Sequence, residues 1–232
     1  IYIYIYIYII YYKMFYDNDD KNDKNNSKIF VSLGNYCLTS MILKKNNLKH
    51  VSYPFDWMVT KIDNITHTIN DNFTQFLNMN NYTKLRNGTI NNVYYNNTRT
   101  LFTNINCDHQ HHDLTNPKDY NYLVRCVERF NKLVDQDSQI IFVMIQPLYI
   151  SNLAIEEDTY NKLYDSLCYK FGNKIKLLIF NINKRNNDIY NEKKINKNFI
   201  IYELKSKMYI GEYGMKWYDK EGIEKFLELI NN

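Results

Sequence analysis

The sequence predicts a layered α/β domain whose mainly parallel sheet is flanked by helices. Residues 140–145 and 175–180 are continuous apolar runs, as expected of strands buried on both faces of a parallel sheet. Residues 120–134 and 160–171 carry apolar side chains at helical spacing. Because helices and buried strands alternate along the chain, we expect a parallel sheet with right-handed crossovers.

The remaining elements follow in chain order. The apolar run 29–33 predicts a strand that ends at Gly34, and the spacing within 36–47 predicts a helix after it. Gly172 follows the 160–171 helix at a position typical of a helix end. The other expected segments are one or two helices over 62–76, β-prone pieces at 92–95 and 100–102, a polar loop at 184–197, a strand at 199–202 and a closing helix at 223–230.

The composition excludes several classes of protein. With 45% hydrophobic and 23% charged residues, the 232-residue chain can bury the core of one domain, expected over residues 29–232. Gly 6, Pro 3 and Cys 4 exclude collagen-like chains and disulfide scaffolds. A net charge of +4, spread along the chain, predicts no nucleic-acid partner. No apolar stretch reaches the ~20 residues that a membrane-spanning helix needs, so no membrane partner is expected.

The first 28 residues are expected to lie outside the folded domain. Residues 1–10 read IYIYIYIYII, the translation of an alternating A-T repeat, which makes Met14 a candidate start. A targeting segment is the alternative, although it would lack a basic region and a small-residue cleavage site. Residues 16–28 are polar and charged without an apolar period, and they predict a disordered lead-in.

Cys37 is the candidate nucleophile. It follows the Gly34 turn and falls in the first turn of the predicted helix, at the sheet edge where sites of parallel α/β folds gather. The positive end of a helix favours the thiolate and lowers the thiol pKa. The alternative is a small buried side chain that packs the helix on the sheet, which is the role expected of Cys126 and Cys168. The cysteine pattern favours a reducing compartment, the cytoplasm.

The histidine candidates lie in the histidine-rich segment 107–113, which reads CDHQHHD. One of His109, His111 and His112 would serve as the general base for Cys37. A metal site is a second hypothesis, because cysteine, histidine and aspartate are all metal ligands, but the segment lacks finger-like spacing. A solvated loop without chemical function is the third. We assign no metal and no other cofactor.

Three charged side chains elsewhere are further candidates. Asp56 lies between two aromatic residues, where it would either orient the histidine or cap a helix start. Arg125 and Arg129 lie four residues apart on one predicted helical face. They would bind a carboxylate or an oxyanion, or pair at the surface with Glu128.

Four motifs of the chain occur in one order. They are VSLGNYC at 31–37, SYPFDW at 52–57 (the SYPFDW segment), the pair His112–Asp113, and Glu128-Arg129-Phe130 at the end of a helix. This order resembles a family described as "putative papain-like cysteine peptidases", whose pattern is S-L-G-x-x-C, S-x-P-F-D-W, H-D and an arginine-rich helix ending in Arg-Phe. The resemblance covers about residues 28–230. Cys126 departs from the pattern, since an arginine is expected there.

The resemblance implies that Cys37 is the nucleophile and that His112, followed by Asp113, is the general base. Asp56 belongs to the signature without an assigned role. We expect the backbone N–H groups of the turn at Gly34 and Asn35 to hold an oxyanion. The family name implies a papain-like fold, with the cysteine on a long helix and the histidine on an antiparallel sheet, whereas the periodicity predicts a parallel architecture.

The predicted function is a cysteine-dependent hydrolase or acyl-transfer enzyme that needs no cofactor and acts on a protein, peptide or small-molecule substrate. Peptide or isopeptide bonds are the substrate that the resemblance implies. Two alternatives stay open: a non-catalytic interaction module, and an α/β enzyme acting on a non-peptide substrate. Contact between Cys37 and a histidine would favour an enzyme, whereas burial of Cys37 away from any histidine would favour the module.

Overall fold

The architecture is a five-stranded sheet, parallel except at one edge, with helices on both faces. In spatial order its strands are β1 (Lys28–Ser32), β6 (Gln139–Pro147), β7 (Ile175–Asn183), β9 (Phe199–Lys205) and β8 (Tyr190–Asn196). A computed structural model of the chain describes residues 28–34, 37–84, 90–96, 108–109, 112, 114–148, 157–183, 190–206, 208–211, 214–217 and 219–231.

Strand burial explains why the sheet is mainly parallel. Strands β6 and β7 are buried along nearly their whole length, which matches their continuous apolar sequences. Strands β1, β6, β7 and β9 pair in parallel, and β8 joins β9 in the antiparallel sense. The predicted fold class is therefore confirmed.

Helices cover the sheet in two layers. They are α1 (Leu38–Lys45), α2 (Ile62–Asn70), α3 (Val93–Asn96), α4 (Pro117–Asn131), α5 (Glu157–Phe171) and α6 (Lys220–Asn231), with short 3-10 helices at Met79–Asn81, Lys132–Asp135 and Gly172–Lys174. Neighbouring strand residues point to opposite faces, so β6 contributes Phe142 to one core cluster and Val143 to the other. Helices α2, α4 and α5 share the cluster of Phe142, and α1 and α6 share that of Val143.

A second, smaller sheet was not predicted. It is antiparallel, with the order β2 (Met58–Val59), β5 (Asp108–His109), β4 (Ile90–Asn92) and β3 (Tyr82–Lys84). Its strands have two or three residues each, too few to show a period of two. The expected β-prone piece at 92–95 is wrong in part, because only Asn92 is in a strand and Val93–Asn96 is helical.

The expected polar loop at 184–197 is also wrong for its second half. Residues Tyr190–Asn196 form β8, the outer strand of the main sheet. Its side chains are almost all exposed, so no apolar alternation reveals the strand, and its lysines suit an unprotected sheet edge. The hairpin of β10 (Met208–Gly211) and β11 (Gly214–Trp217) was likewise not predicted.

The helix predictions over 36–47, 120–134, 160–171 and 223–230 are confirmed with small shifts of their ends. The prediction over 62–76 is wrong beyond Asn70, because the chain leaves the helical conformation there and has positive φ at Asn72 and Phe73. Gly172 has φ +72°, the left-handed conformation expected after α5. The predicted lead-in, apart from Lys28, and the β-prone piece at 100–102 lie outside the described residues, and the division into one domain stays a prediction. Among the helices of the described ranges, none has the length and apolar composition that crossing a membrane requires.

Candidate active site

Cys37 lies between β1 and α1, as the sequence predicts. It is the N-cap residue of α1, and its carbonyl oxygen accepts a 3.0 Å hydrogen bond from the Met41 backbone N–H. Burial raises the pKa of the Cys37 thiol, and a backbone hydrogen bond at Cys37 only partly opposes this effect. The expected lowering of the thiol pKa by the helix end is therefore wrong for this structure, because desolvation outweighs it.

Gly34 makes the turn that leads the chain from β1 towards Cys37. Its φ of +63° is a conformation that favours glycine. A Cβ atom added there would lie 3.0 Å from Thr60 Cγ2 and 3.2 Å from the Phe55 carbonyl oxygen. The Gly34 turn therefore packs directly on the SYPFDW segment and its continuation. Asn35, the other residue expected at the oxyanion turn, lies outside the described residues.

Asp56 is fully buried, and its partner is one that the sequence did not indicate. Its carboxylate forms an ion pair with Lys49, whose side chain is also fully buried. The same carboxylate oxygen accepts a 2.9 Å hydrogen bond from the Tyr53 backbone N–H. Lys49 also donates a 2.8 Å hydrogen bond to Ser40 Oγ in the first turn of α1. The contacts of Asp56 therefore run to Lys49 and to its own loop.

His112 lies just before α4 and is nearly buried, with 7% of its side chain exposed. Its ring stacks on Tyr122, with centroids 4.6 Å apart and planes inclined by 24°. Its Nδ1 atom lies 3.6 Å from Asp119 Oδ1 in the first turn of α4. Asp113, the carboxylate that the motif singles out, lies outside the described residues, so Asp119 is the acid that the structure places beside His112.

Sequence reasoning missed Asp119 for a physical reason. An acid in the first turn of a helix is common because it interacts favourably with the helix dipole, so its presence suggests nothing further. The helix start is marked by Asn116, whose side chain accepts from the Lys118 backbone N–H, and by Pro117 at the first helical position. Asp119 then lies seven residues after His112, a spacing that the H-D motif does not include.

The histidine-rich segment joins the small sheet next to the SYPFDW segment. In the pairing of β2 with β5, Met58 is opposite His109. Cys107 and His111, two of the ligands that the metal hypothesis needs, lie outside the described residues. Within the described residues, no group of three or more His, Cys, Asp and Glu side chains could hold a metal ion.

The Gly34 turn before Cys37 packs on the SYPFDW segment, and β2, which follows that segment, pairs with β5 of the histidine-rich segment. Among the described residues, however, no hydrogen bond joins Cys37 to His112. Burial favours the protonated form of the Cys37 thiol. Attack on a carbonyl would require a base that removes the proton during the reaction, rather than a preformed thiolate.

The arginine pair of α4 has two different environments. Arg125 is exposed. Arg129 donates from Nε to the Ser52 carbonyl oxygen over 3.0 Å and from its guanidinium to Cys126 Sγ over 3.2 Å. Arg129 thus ties α4 to the SYPFDW segment. Cys126 is buried, and Cys168 is partly buried against the core cluster that contains Phe142, as expected.

Comparison with known proteins gives a family match. A family model described as "Putative papain-like cysteine peptidase" matches residues 28–186, a shorter stretch than the 28–230 expected from the motifs. The matched part contains the Gly34 turn, Cys37, the SYPFDW segment, His112 and α4. No curated protein and no solved structure matches the chain.

Proposed function

We propose, from the premise that the chain belongs to the family described as "Putative papain-like cysteine peptidase", that this protein is a cysteine-dependent hydrolase. In this proposal Cys37 is the nucleophile and His112 is the general base. Asp119 is the residue that holds the imidazole. The family description supports the coarse class of reaction, and the residue roles are the proposal's own.

The observation that carries the proposal is the set of contacts linking the two motif regions. The Gly34 turn before Cys37 packs on Phe55 and Thr60, which flank β2 closely. Strand β2 pairs with β5, and His112 follows β5 by three residues. Three residues can span at most about 11 Å, so His112 lies within that distance of the end of β5.

The proposed reaction starts from the neutral thiol. His112 takes the proton of Cys37 as the sulfur attacks the carbonyl carbon, and Asp119 stabilises the imidazolium that forms. Backbone N–H groups of the turn at Gly34 hold the oxyanion. The imidazolium then gives its proton to the leaving group, and water hydrolyses the acyl-enzyme with His112 again acting as base.

The substrate class follows from the family alone. Its description supports a peptide or isopeptide bond in a protein or peptide, and an ester or another small acyl compound would react by the same steps. Cys37, Cys126 and Cys168 are free thiols, which supports a reducing compartment for the protein.

Reaction with a peptidyl epoxide tests the proposal, since such electrophiles modify cysteines that a base activates. We expect Cys37 to be modified, and His112→Ala to slow the reaction about 100-fold, as for loss of a general base. Asp119→Asn should slow it less, and Cys168→Ser should have no effect. Iodoacetamide, which needs only a thiolate, serves as the control for access to Cys37.

A non-catalytic interaction module is the second candidate, and two observations favour it. Burial raises the pKa of Cys37, and no hydrogen bond to His112 is present among the described residues. The same experiment separates the two functions. Equal rates for wild type and His112→Ala, or no epoxide modification of the folded protein, would contradict the hydrolase and support the module.

A further inference from the structure

The buried pair of Lys49 and Asp56 is the least expected feature of the described core. Both side chains have no exposed surface, and they form an ion pair. Taking two charges out of water carries a desolvation penalty that often exceeds their attraction, so apolar residues of similar volume would commonly stabilise a fold as well. A buried ion pair is thus poorly explained by stability alone, and its other contacts indicate what it does.

The pair is connected to the helix turn that begins at Cys37. Lys49 Nζ donates to Ser40 Oγ over 2.8 Å, and Ser40 lies three residues after Cys37, about one helical turn. The backbone N–H of Met41 closes this turn on the Cys37 carbonyl. On the other side, Thr39 Oγ1 accepts a 3.2 Å hydrogen bond from the Ile145 backbone N–H of β6. Side chains therefore hold the first turn of α1 from two directions.

The SYPFDW segment also supports the chain before Cys37. Phe55, the residue preceding Asp56, provides the carbonyl oxygen against which Gly34 packs. Asp56 itself is fixed within its loop by the Tyr53 backbone N–H, over 2.9 Å. One short loop therefore contacts the chain on both sides of the sulfur, at Gly34 directly and at Ser40 through Lys49.

We propose that Lys49 and Asp56 are positioning residues, which set the location of Cys37 through Ser40 and take no direct part in the reaction. This inference rests on the proposed function for its catalytic meaning. Neither charged group is exposed, so neither can touch a substrate. Lys49 is linked to the helix of Cys37 through Ser40, so in this proposal it acts on Cys37 by geometry.

Ser40→Ala is the central test, because it removes the link and leaves the ion pair in place. Released from Lys49, the first turn of α1 should open more often and expose the thiol. We expect the pH midpoint of iodoacetamide alkylation at Cys37, followed by peptide mass spectrometry, to fall towards the free-thiol value of about 8.5. At a fixed pH of 8 the alkylation rate should rise at least about threefold, since the thiolate fraction follows the pKa.

Two further variants separate positioning from stability. Ser166→Ala is the matched control, because Ser166 is a buried serine whose hydroxyl donates to the Lys162 carbonyl on α5, in a helix that does not carry Cys37. It should leave Cys37 alkylation unchanged. The double variant Lys49→Met/Asp56→Leu replaces the pair with apolar side chains, so it should keep a melting temperature near that of wild type while shifting alkylation as Ser40→Ala does.

The outcomes are distinct from those of the hydrolase test. Alkylation in Ser40→Ala within twofold of Ser166→Ala, in both rate and midpoint, overturns the positioning role, and this comparison decides even if the double variant fails to fold. If Ser40→Ala shifts alkylation but wild-type Cys37 never reacts with the peptidyl epoxide, the positioning role stands and the hydrolase does not. If the epoxide reaction depends on His112 but Ser40→Ala leaves the alkylation of Cys37 unshifted, the hydrolase stands and the positioning role does not.

Discussion

Burial favours the neutral form of two ionisable side chains in the site region, Cys37 and Lys49. It raises the pKa of the Cys37 thiol and lowers the pKa of the Lys49 ammonium to about 8, in spite of the attraction of Asp56. The sequence does not reveal the burial of Lys49. This lysine belongs to the polar run KKNNLK, where a solvated side chain is the ordinary expectation.

Cys37 should titrate above the ordinary thiol range in the resting protein. Burial disfavours the thiolate, so the alkylation midpoint of the folded chain should exceed about 8.5. Site-resolved iodoacetamide rates between pH 7 and 10 measure it, with the same peptide in urea-unfolded protein as reference. A midpoint at or below that of the unfolded chain would show instead that the helix end prevails over burial.

Lys49 should make stability rise with pH in an alkaline window. Its pKa is about 8 in the folded chain and about 10.4 when unfolded, so between these values the unfolded chain binds more protons. The free energy of unfolding of wild type, relative to Lys49→Met/Asp56→Leu, should therefore increase from pH 8 to 10, by at most roughly 1 kcal/mol per pH unit. Urea denaturation at each pH measures this, and parallel curves for the two proteins would contradict it.

At the scale of elements, the turn between β1 and α1 is where a tight approach of backbone and side chains requires glycine. Gly34 combines a φ of +63° with close neighbours, whereas Gly172 has φ +72° and nothing within 4 Å of an added Cβ. A side chain at either position would have to adopt the left-handed backbone conformation, but only at Gly34 would it also overlap with neighbouring atoms. Comparing the two positions therefore separates the cost of backbone strain from the cost of steric overlap.

Gly34→Ala should destabilise the protein more than Gly172→Ala. Both substitutions carry the left-handed penalty of about 1–2 kcal/mol, and only the first adds overpacking of about 1–3 kcal/mol. Thermal or urea denaturation of the two variants gives the comparison. Equal losses of stability would mean that Thr60 and Phe55 yield to the added methyl group at little cost.

Elements with long apolar patterns were predictable from the sequence, and those stabilised by pairing alone were not. Strands β6 and β7 are buried almost throughout, so their sequences are continuous apolar runs that predict a strand. Strand β8 is exposed and is defined only by its hydrogen bonds to β9. The same distinction applies to the site. Cys37 and Asp56 belong to recognisable motifs, whereas the roles proposed for Asp119 and Lys49 depend on neighbours that only the folded chain brings near.

At the scale of the whole molecule, an aromatic cluster connects the main sheet with the region of the SYPFDW segment. The ring of Phe130 on α4 lies 6.0 Å from Phe55, 5.3 Å from Phe73, 6.0 Å from Phe142 and 5.2 Å from Phe171, centroid to centroid. One fully buried side chain thus contacts the motif loop, the chain after α2, β6 and α5.

Phe130→Ala should therefore be among the most destabilising single substitutions. Truncating a buried phenylalanine costs about 3–5 kcal/mol, since a cavity replaces the ring. Tyr169→Ala, at a side chain that is 94% exposed on α5, should change the free energy of unfolding by no more than about 0.5 kcal/mol. Urea denaturation measures both, and a loss of less than about 1 kcal/mol in Phe130→Ala would show that the other rings close the gap.

The position of β1 at the margin of the main sheet also has a consequence for synthesis on the ribosome. Among the described strands its one neighbour in that sheet is β6, and Lys28 pairs with Gln139, roughly 110 residues later in translation. A nascent chain that has emerged only as far as α4 therefore lacks the strand with which β1 pairs in the described part of the sheet. The Gly34 turn and Cys37, which follow β1, are therefore assembled late. Chaperones that shield apolar segments can act on β1 between its emergence and that of β6.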